Sequence, residues 1–186
     1  MAKVYEFMAN GTEEIEALTV VDVLRRAGVE CVTVSIYDTE EVLMSHGVRM
    51  ICDTTIDKAD FSDADMLLLP GGMPGSTNLN DCEAVRMAML KQYESGKKLG
   101  AICAAPLVLG GLGILKGKRA TCYPGVESQM TGAEYTRELY TIDGNIITGE
   151  GPAATLPYSF AILGMLGKSQ EAEQLKEGMM FNHLME

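Results

Sequence analysis

The feature that most restricts the fold is a strand–helix–strand succession near the start of the chain. An apolar run from Val4 to Ala9 is followed by a helical stretch from Glu13 to Ala27, a stop at Gly28, and a second apolar run from Val29 to Ile36. Strands separated by a helix of that length lie parallel in one sheet, with the helix packed on its face. Asn10-Gly11 is the expected turn out of the first strand and Thr12 the expected N-cap. Two more runs, Asp65 to Pro70 and Lys98 to Ile102, read as strands covered on both faces, with a helix from Asp81 to Ser95 between them. Glu41 to Met44 and Val48 to Cys52 are the arms of a hairpin at a sheet edge, and Asp143-Gly144 is the expected turn of a second hairpin, from Leu139 to Thr148. A helix from Ala104, a short strand from Arg119 to Cys122, and closing helices at Thr155 to Leu166 and Ser169 to Met180 complete an α/β class pattern. The expected architecture is a doubly wound, mostly parallel sheet sandwiched by helices, with an edge hairpin.

Length and charge narrow the function. The 186 residues, 47% of them hydrophobic, suit one domain spanning 1–186. A net charge of -11 repels both a phosphate backbone and an anionic lipid surface, so neither nucleic acid nor membrane is an expected partner. The uncharged stretch from Pro152 to Gly167 contains two prolines and falls short of the ~20 apolar residues that span a bilayer. The first residues show a charge within a short apolar run and no cleavage signature, so export is not expected. Five scattered cysteines without a C-x-x-C pair suggest neither a disulfide framework nor a zinc site; reduced thiols in a cytoplasmic protein fit them best.

One of the five stands apart. Gly100-Ala101-Ile102-Cys103-Ala104-Ala105-Pro106 places Cys103 between a buried strand and a helix, with small residues on both sides. A nucleophile elbow needs such spacing because larger side chains clash in so tight a turn. Pro106, lacking an N–H, suits the first turn of the following helix. A sulfur there meets unpaired N–H groups and the positive end of the helix dipole, both favouring thiolate. The alternative, that Cys103 packs as an ordinary core cysteine, stays open from the elbow alone.

Pro70-Gly71-Gly72-Met73-Pro74-Gly75 follows another buried strand and emerges at the same carboxyl edge, where open α/β sheets bind ligands. Its glycines are able to turn backbone N–H groups toward a bound oxygen and, with the N–H of Ala104, to form an oxyanion hole, although a loop needing positive φ explains them equally well. Glu16 lies in phase with Val20, Val23 and Ala27, opposite the wet side formed by Thr19, Asp22, Arg25 and Arg26. Desolvation would keep such an acid protonated beside a thiolate, whereas its place in an acidic first turn is also explained by the helix dipole. Neither histidine, His46 in the hairpin turn nor His183 near the end, is an obvious Cys-His partner; both read as exposed or capping histidines, with reach across a subunit boundary the alternative for His46.

Together the G-T-E-E-I-E, L-P-G-G-M-P-G and A-I-C-A-A-P segments, with the later I-T-G-E-G-P-A-A-T, resemble the ThiJ/PfpI superfamily, and within it the DJ-one group of parkinsonism-associated deglycase relatives. The resemblance runs from Lys3 to about Gly167. It implies a flavodoxin-like fold and a homodimer, with Cys103 as nucleophile, Glu16 as the protonated carboxyl, and Gly72 and Ala104 as the backbone donors of an oxyanion pocket. Gly71, Gly75, Tyr123, Glu150 and His46 are its expected pocket-lining residues. Two departures remove polar help: Tyr123 stands where many relatives have histidine, and Glu150 where the deglycase group has arginine. A carboxylate in place of a guanidinium disfavours both thiolate and anionic ligands.

The resemblance and the residues together point to a glyoxalase- or deglycase-like enzyme acting, without cofactor or metal, on a small reactive aldehyde such as methylglyoxal or on a glycated substrate. The rival expectation is an oxidative-stress sensor or chaperone in which Cys103 becomes a sulfinic acid. Peptidase or amidotransferase-like hydrolysis, or the thiamine-biosynthesis role that some relatives are labelled with, ranks below both.

Overall fold

The computed structural model describes residues 2–184. The first strand, β1 (Lys3–Met8), leads into α1 (Glu14–Arg26) and β2 (Glu30–Ser35); a small hairpin, β3 (Glu41–Leu43) and β4 (Arg49–Ile51), precedes β5 (Thr54–Thr55). The chain continues through β6 (Met66–Leu69), α2 (Gly75–Asp81), α3 (Glu83–Glu94), β7 (Lys98–Ile102) and α4 (Pro106–Gly111). After the short strands β8 (Arg119–Ala120) and β9 (Glu134–Tyr135) come β10 (Tyr140–Asp143), β11 (Ile146–Gly149), α5 (Thr155–Met165) and α6 (Ser169–Gly178).

Seven strands form the central sheet in the order β10-β11-β7-β6-β1-β2-β5. All its pairings are parallel except β10 with β11, which make an antiparallel hairpin at one edge. Alternation along the inner strands sorts side chains into two cores. Val4, Met8, Met66, Leu68 and Ile102 pack under α1, α5 and α6, while Tyr5, Phe7, Leu67, Leu69 and Leu99 pack under α2, α3 and α4. Burying each such large side chain stabilises the fold by about 1.5–3 kcal/mol before conformational entropy is charged.

Local details differ from the sequence expectations for identifiable reasons. The N-cap of α1 is Glu13, whose carboxylate accepts from Glu16 N–H at 2.8 Å. Thr12 is otherwise engaged, since its hydroxyl accepts from Ala9 N–H at 3.1 Å. The β10–β11 turn is Gly144-Asn145, because Asp143 is already paired with Ile146. The expected helix from Asp81 breaks at Cys82 into α2 and α3. The β3–β4 hairpin pairs only with itself in the main ladder sense. Backbone bonds from Gly11 N–H to Leu43 O and from Ser45 N–H to Thr12 O tie it to the turn that opens α1.

Candidate active site around Cys103

The site assembles at the carboxyl ends of β1, β6, β7 and β11, the edge toward which parallel strands deliver their loops. Cys103 follows β7 directly with φ 62°, in the left-handed region, and α4 begins three residues later at Pro106. That conformation costs a non-glycine residue on the order of 1 kcal/mol. It is held from both sides: Cys103 N–H donates to Gly149 O at 2.9 Å, and Tyr123 N–H donates to Cys103 O at 2.8 Å. The residue is 8% exposed, so its sulfur is set below the surface.

Glu16 is fully buried, as its phase on α1 anticipated. Oε2 accepts from Gly71 N–H at 2.9 Å, while Gly71 O accepts from Glu13 N–H at 3.0 Å, so this one residue is fastened to the start of α1 through both its backbone polar groups. A Cβ on Gly71 would lie 2.4 Å from Glu16 Oε2 and 2.6 Å from Cys103 Cβ. Acid and thiol-bearing carbon therefore crowd the same point of backbone. Gly72, at φ 89°, admits no side chain because a Cβ would sit 2.5 Å from both Glu13 N and Gly11 O.

Electrostatics here run partly against the sequence expectation. Burial pushes the Glu16 carboxyl up to about 7, with the Glu13 charge adding to it and the Cys103 and Gly71 hydrogen bonds opposing. Burial also raises the Cys103 thiol, and the charge and hydrogen bond of Glu16 raise it further. The N–H groups of Gly72 and Ala104 act in the other direction, as an oxyanion hole would, but they do not prevail. The expectation that the surrounding amides and helix dipole favour the ionised sulfur is thus corrected: α4 is only six residues long, and burial, with Glu16 adding to it, outweighs the amides.

The other expected pocket residues fall in different places. Tyr123 and Glu150 line a groove of about 240 Å³ with Pro124, Leu139, Gly151 and Pro152, beside the backbone that pins Cys103. Gly75 opens α2 and is packed against the Gly11 turn, where a Cβ would meet Gly11 C and O at 2.6 Å. His46 is exposed and tied mainly to α1: Nδ1 lies 2.8 Å from Glu14 Oε2 and 3.1 Å from the Ser45 hydroxyl, and its backbone N–H donates to Glu14 Oε1 at 2.6 Å. Glu13, Glu14 and His46 bring ligand-type atoms within 4.8 Å of one another, but both carboxylates are already spent as hydrogen-bond acceptors. Sequence reasoning gave no role to Gly149, the carbonyl that fixes the elbow, or to Glu13 as a cap; each acts through a long-range or backbone bond that residue type does not advertise.

Fold and site together define a flavodoxin-like α/β protein with a buried cysteine at a sharp strand-to-helix turn beside a buried carboxylic acid. A model of the DJ-1/PfpI family matches residues 2–165. The chain belongs to that family. It is 36% identical over 171 residues to Protein DJ-1 homolog B of Arabidopsis thaliana, covering 91% of this chain and 39% of that protein, so it spans well under half of that relative's length. It is 32% identical to the glutathione-independent glyoxalase DJR-1.2 of Caenorhabditis elegans, over 88% of this chain and 87% of the relative. The oxidized form of Toxoplasma gondii DJ-1 superposes with a TM-score of 0.92 at 32% identity, covering 97% of this chain and 98% of the other. Among the described residues, no helix is long and apolar enough to cross a membrane.

Proposed function

We propose that this chain is a cysteine-dependent glyoxalase- or deglycase-like enzyme that processes small reactive aldehydes such as methylglyoxal without a cofactor. The observation that carries the reading is the crowding of Glu16 Oε2 and Cys103 Cβ around Gly71, which makes acid and thiol one proton-sharing unit. A relative named as a glutathione-independent glyoxalase supports the same reading.

In this mechanism the Cys103 thiolate adds to the aldehyde carbon, and the proton held by Glu16 goes to the carbonyl oxygen, giving a hemithioacetal. Glu16, now a carboxylate, takes the proton from that carbon and returns it to the adjacent one, while the adduct hydroxyl passes its proton to the neighbouring oxygen, leaving a thioester of the hydroxy acid. Water then cleaves the C–S bond and releases a hydroxy acid with the thiol restored. Gly72 and Ala104 N–H groups stabilise the oxygen where charge develops. An affinity near neutrality suits Glu16 to both giving and taking the proton. Tyr123 and Glu150 border the approach from one side, favouring neutral or cationic carbonyl compounds over anionic ones.

The working form is a single-domain cytoplasmic homodimer. Ile15 and Leu18 on α1 and Leu43, Val48 and Ile51 in the hairpin region are exposed apolar side chains on linked segments, a surface suited to a two-fold contact. Purified protein should convert methylglyoxal without glutathione, and Cys103→Ser should not; equal rates would end the enzyme reading. The second reading, oxidation of Cys103 by peroxide to a sulfinic acid whose oxygen accepts from the protonated carboxyl of Glu16, draws on the same geometry and on the similarity to an oxidized relative. Mild peroxide followed by mass spectrometry separates it, through selective dioxygen addition at Cys103 in a protein that turns over no aldehyde.

A further inference from the structure

The central strand carries an acid where an apolar side chain would serve the fold better. Glu6 is the fourth residue of β1 and 1% exposed, paired with Thr33 on β2 and Leu68 on β6. Alternation with Val4 and Met8 points it into the layer beneath α1 and α5, the layer that also contains Glu16 and Cys103. Its Oε2 has no hydrogen-bond partner among the described residues, and neither has Oε1 of Glu16. The register continues from Leu68 to Gly100 on β7, and there a Cβ would lie 2.6 Å from the hydroxyl of Tyr158, so the absence of a side chain admits that hydroxyl into the same layer.

The ionisable groups whose fields act with Glu6 are Glu16 and Arg25 of α1, Tyr158 of α5, Cys31 of β2 and Cys52 just before β5. Only Arg25 favours the ionised acid, and its guanidinium is committed elsewhere, to Cys31 O at 2.9 Å and Asp53 at 2.6 Å. Burial and the Glu16 charge outweigh it, and Glu6 keeps its proton. A valine would suit the strand without an unpaired polar atom, so the acid is a cost to the fold that calls for a return at the site.

We propose that Glu6 is a positioning residue for Glu16: its protonated carboxyl, in the same layer as the Tyr158 hydroxyl, donates to a buried water that in turn donates to the orphaned Oε1 of Glu16. A donor to a carboxylate stabilises its charged form, so Glu6 holds the proton affinity of Glu16 near neutrality instead of letting burial carry it higher. The proposal rests on Glu16 being the proton-holding partner of Cys103, and not on any aldehyde being the substrate.

The test follows alkylation of Cys103 by iodoacetamide across the neutral pH range, site-resolved by mass spectrometry, in wild type, Glu6→Val and Glu6→Gln. Losing one hydrogen bond to a charged acceptor should move the midpoint upward by about one pH unit in Glu6→Val, a tenfold change in proton affinity. Glu6→Gln, which still donates, should retain the wild-type midpoint. A purely structural Glu6 predicts superimposed profiles for all three, and equal displacement of both variants would mean that the acid acts by something other than a donated hydrogen bond; either result overturns the proposal. Infrared difference spectra between wild type and Glu6→Gln read the proton on Glu6 directly, even if Cys103 proves unreactive. Loss of a protonated-carboxyl band at neutral pH is expected, and loss of a carboxylate band instead would refute it.

Discussion

Replacing Gly71 by alanine isolates the contact on which the site depends. The position has no positive φ to forbid a side chain, and an alanine in open space would stabilise by about 0.4–1 kcal/mol through the unfolded state. The new Cβ, however, would sit 2.4 Å from Glu16 Oε2, 2.6 Å from Cys103 Cβ and 2.9 Å from Ile102 O. Two of these are tied to the central sheet or to the elbow beside it and cannot swing aside, so relief has to come from Glu16, at the expense of its bond to Gly71 N–H. Overpacking of this kind costs about 1–3 kcal/mol, which exceeds the alanine gain. For a chain of this size that corresponds to a melting temperature lower by roughly 5 °C. Gly178→Ala is the control, because nothing lies within 4 Å of its Cβ and the residue ends a helix; it should be neutral or stabilising. Calorimetry and Cys103 alkylation are measured on both. If Gly71→Ala matches the control in stability and leaves alkylation unchanged, Glu16 and Cys103 are not crowded around that peptide and the account of the site fails.

Three other outcomes are expected. Folding raises the Glu16 carboxyl from 4.5 to about 7, so the folded chain binds more protons in that interval and its stability falls as pH rises through it. The loss from this group accumulates to roughly 3 kcal/mol, and urea titrations of Glu16→Gln should show a smaller drop between the acid and alkaline ends of the window than wild type does. The carboxylate of Glu14 raises His46 above its ordinary value, while hydrogen bonding holds Glu14 down at about 2; an NMR titration of His46 should return toward 6.5 in Glu14→Gln, and an unmoved value would dissociate the pair. Light scattering should report a dimer, and Ile15→Glu, at an exposed position whose own folding cost should stay within about 0.5 kcal/mol, should yield a folded monomer; an unchanged mass would remove α1 from the interface.

Much of this was readable in the residues because it follows local rules. Small side chains around Cys103 announce a tight turn after a buried strand, and a period of 3.6 places Glu16 among Val20, Val23 and Ala27. What escaped depends on partners far along the chain. Thr12 and Glu13 both offer a capping oxygen, and only the claim of Ala9 N–H on Thr12 decides between them. The β10–β11 turn moves by one residue because β11 takes its register from β7, which no hairpin rule contains. The proton affinity of Cys103 was misjudged for the same reason: the favourable amides are local, whereas the burial and the Glu16 charge that outweigh them are properties of the assembled core.

The fastening of Cys103 to Gly149, and of Glu16 to Gly71, has a consequence for how the chain matures. As the polypeptide is synthesised, Cys103 emerges well before the carbonyl that fixes its backbone exists, and until β11 slots in against β7 that bond is missing. Parallel pairings between distant segments are late and slow to form. The backbone turn at Cys103 is therefore completed by a strand that leaves the ribosome about 45 residues after it, and β7 alone cannot fix it.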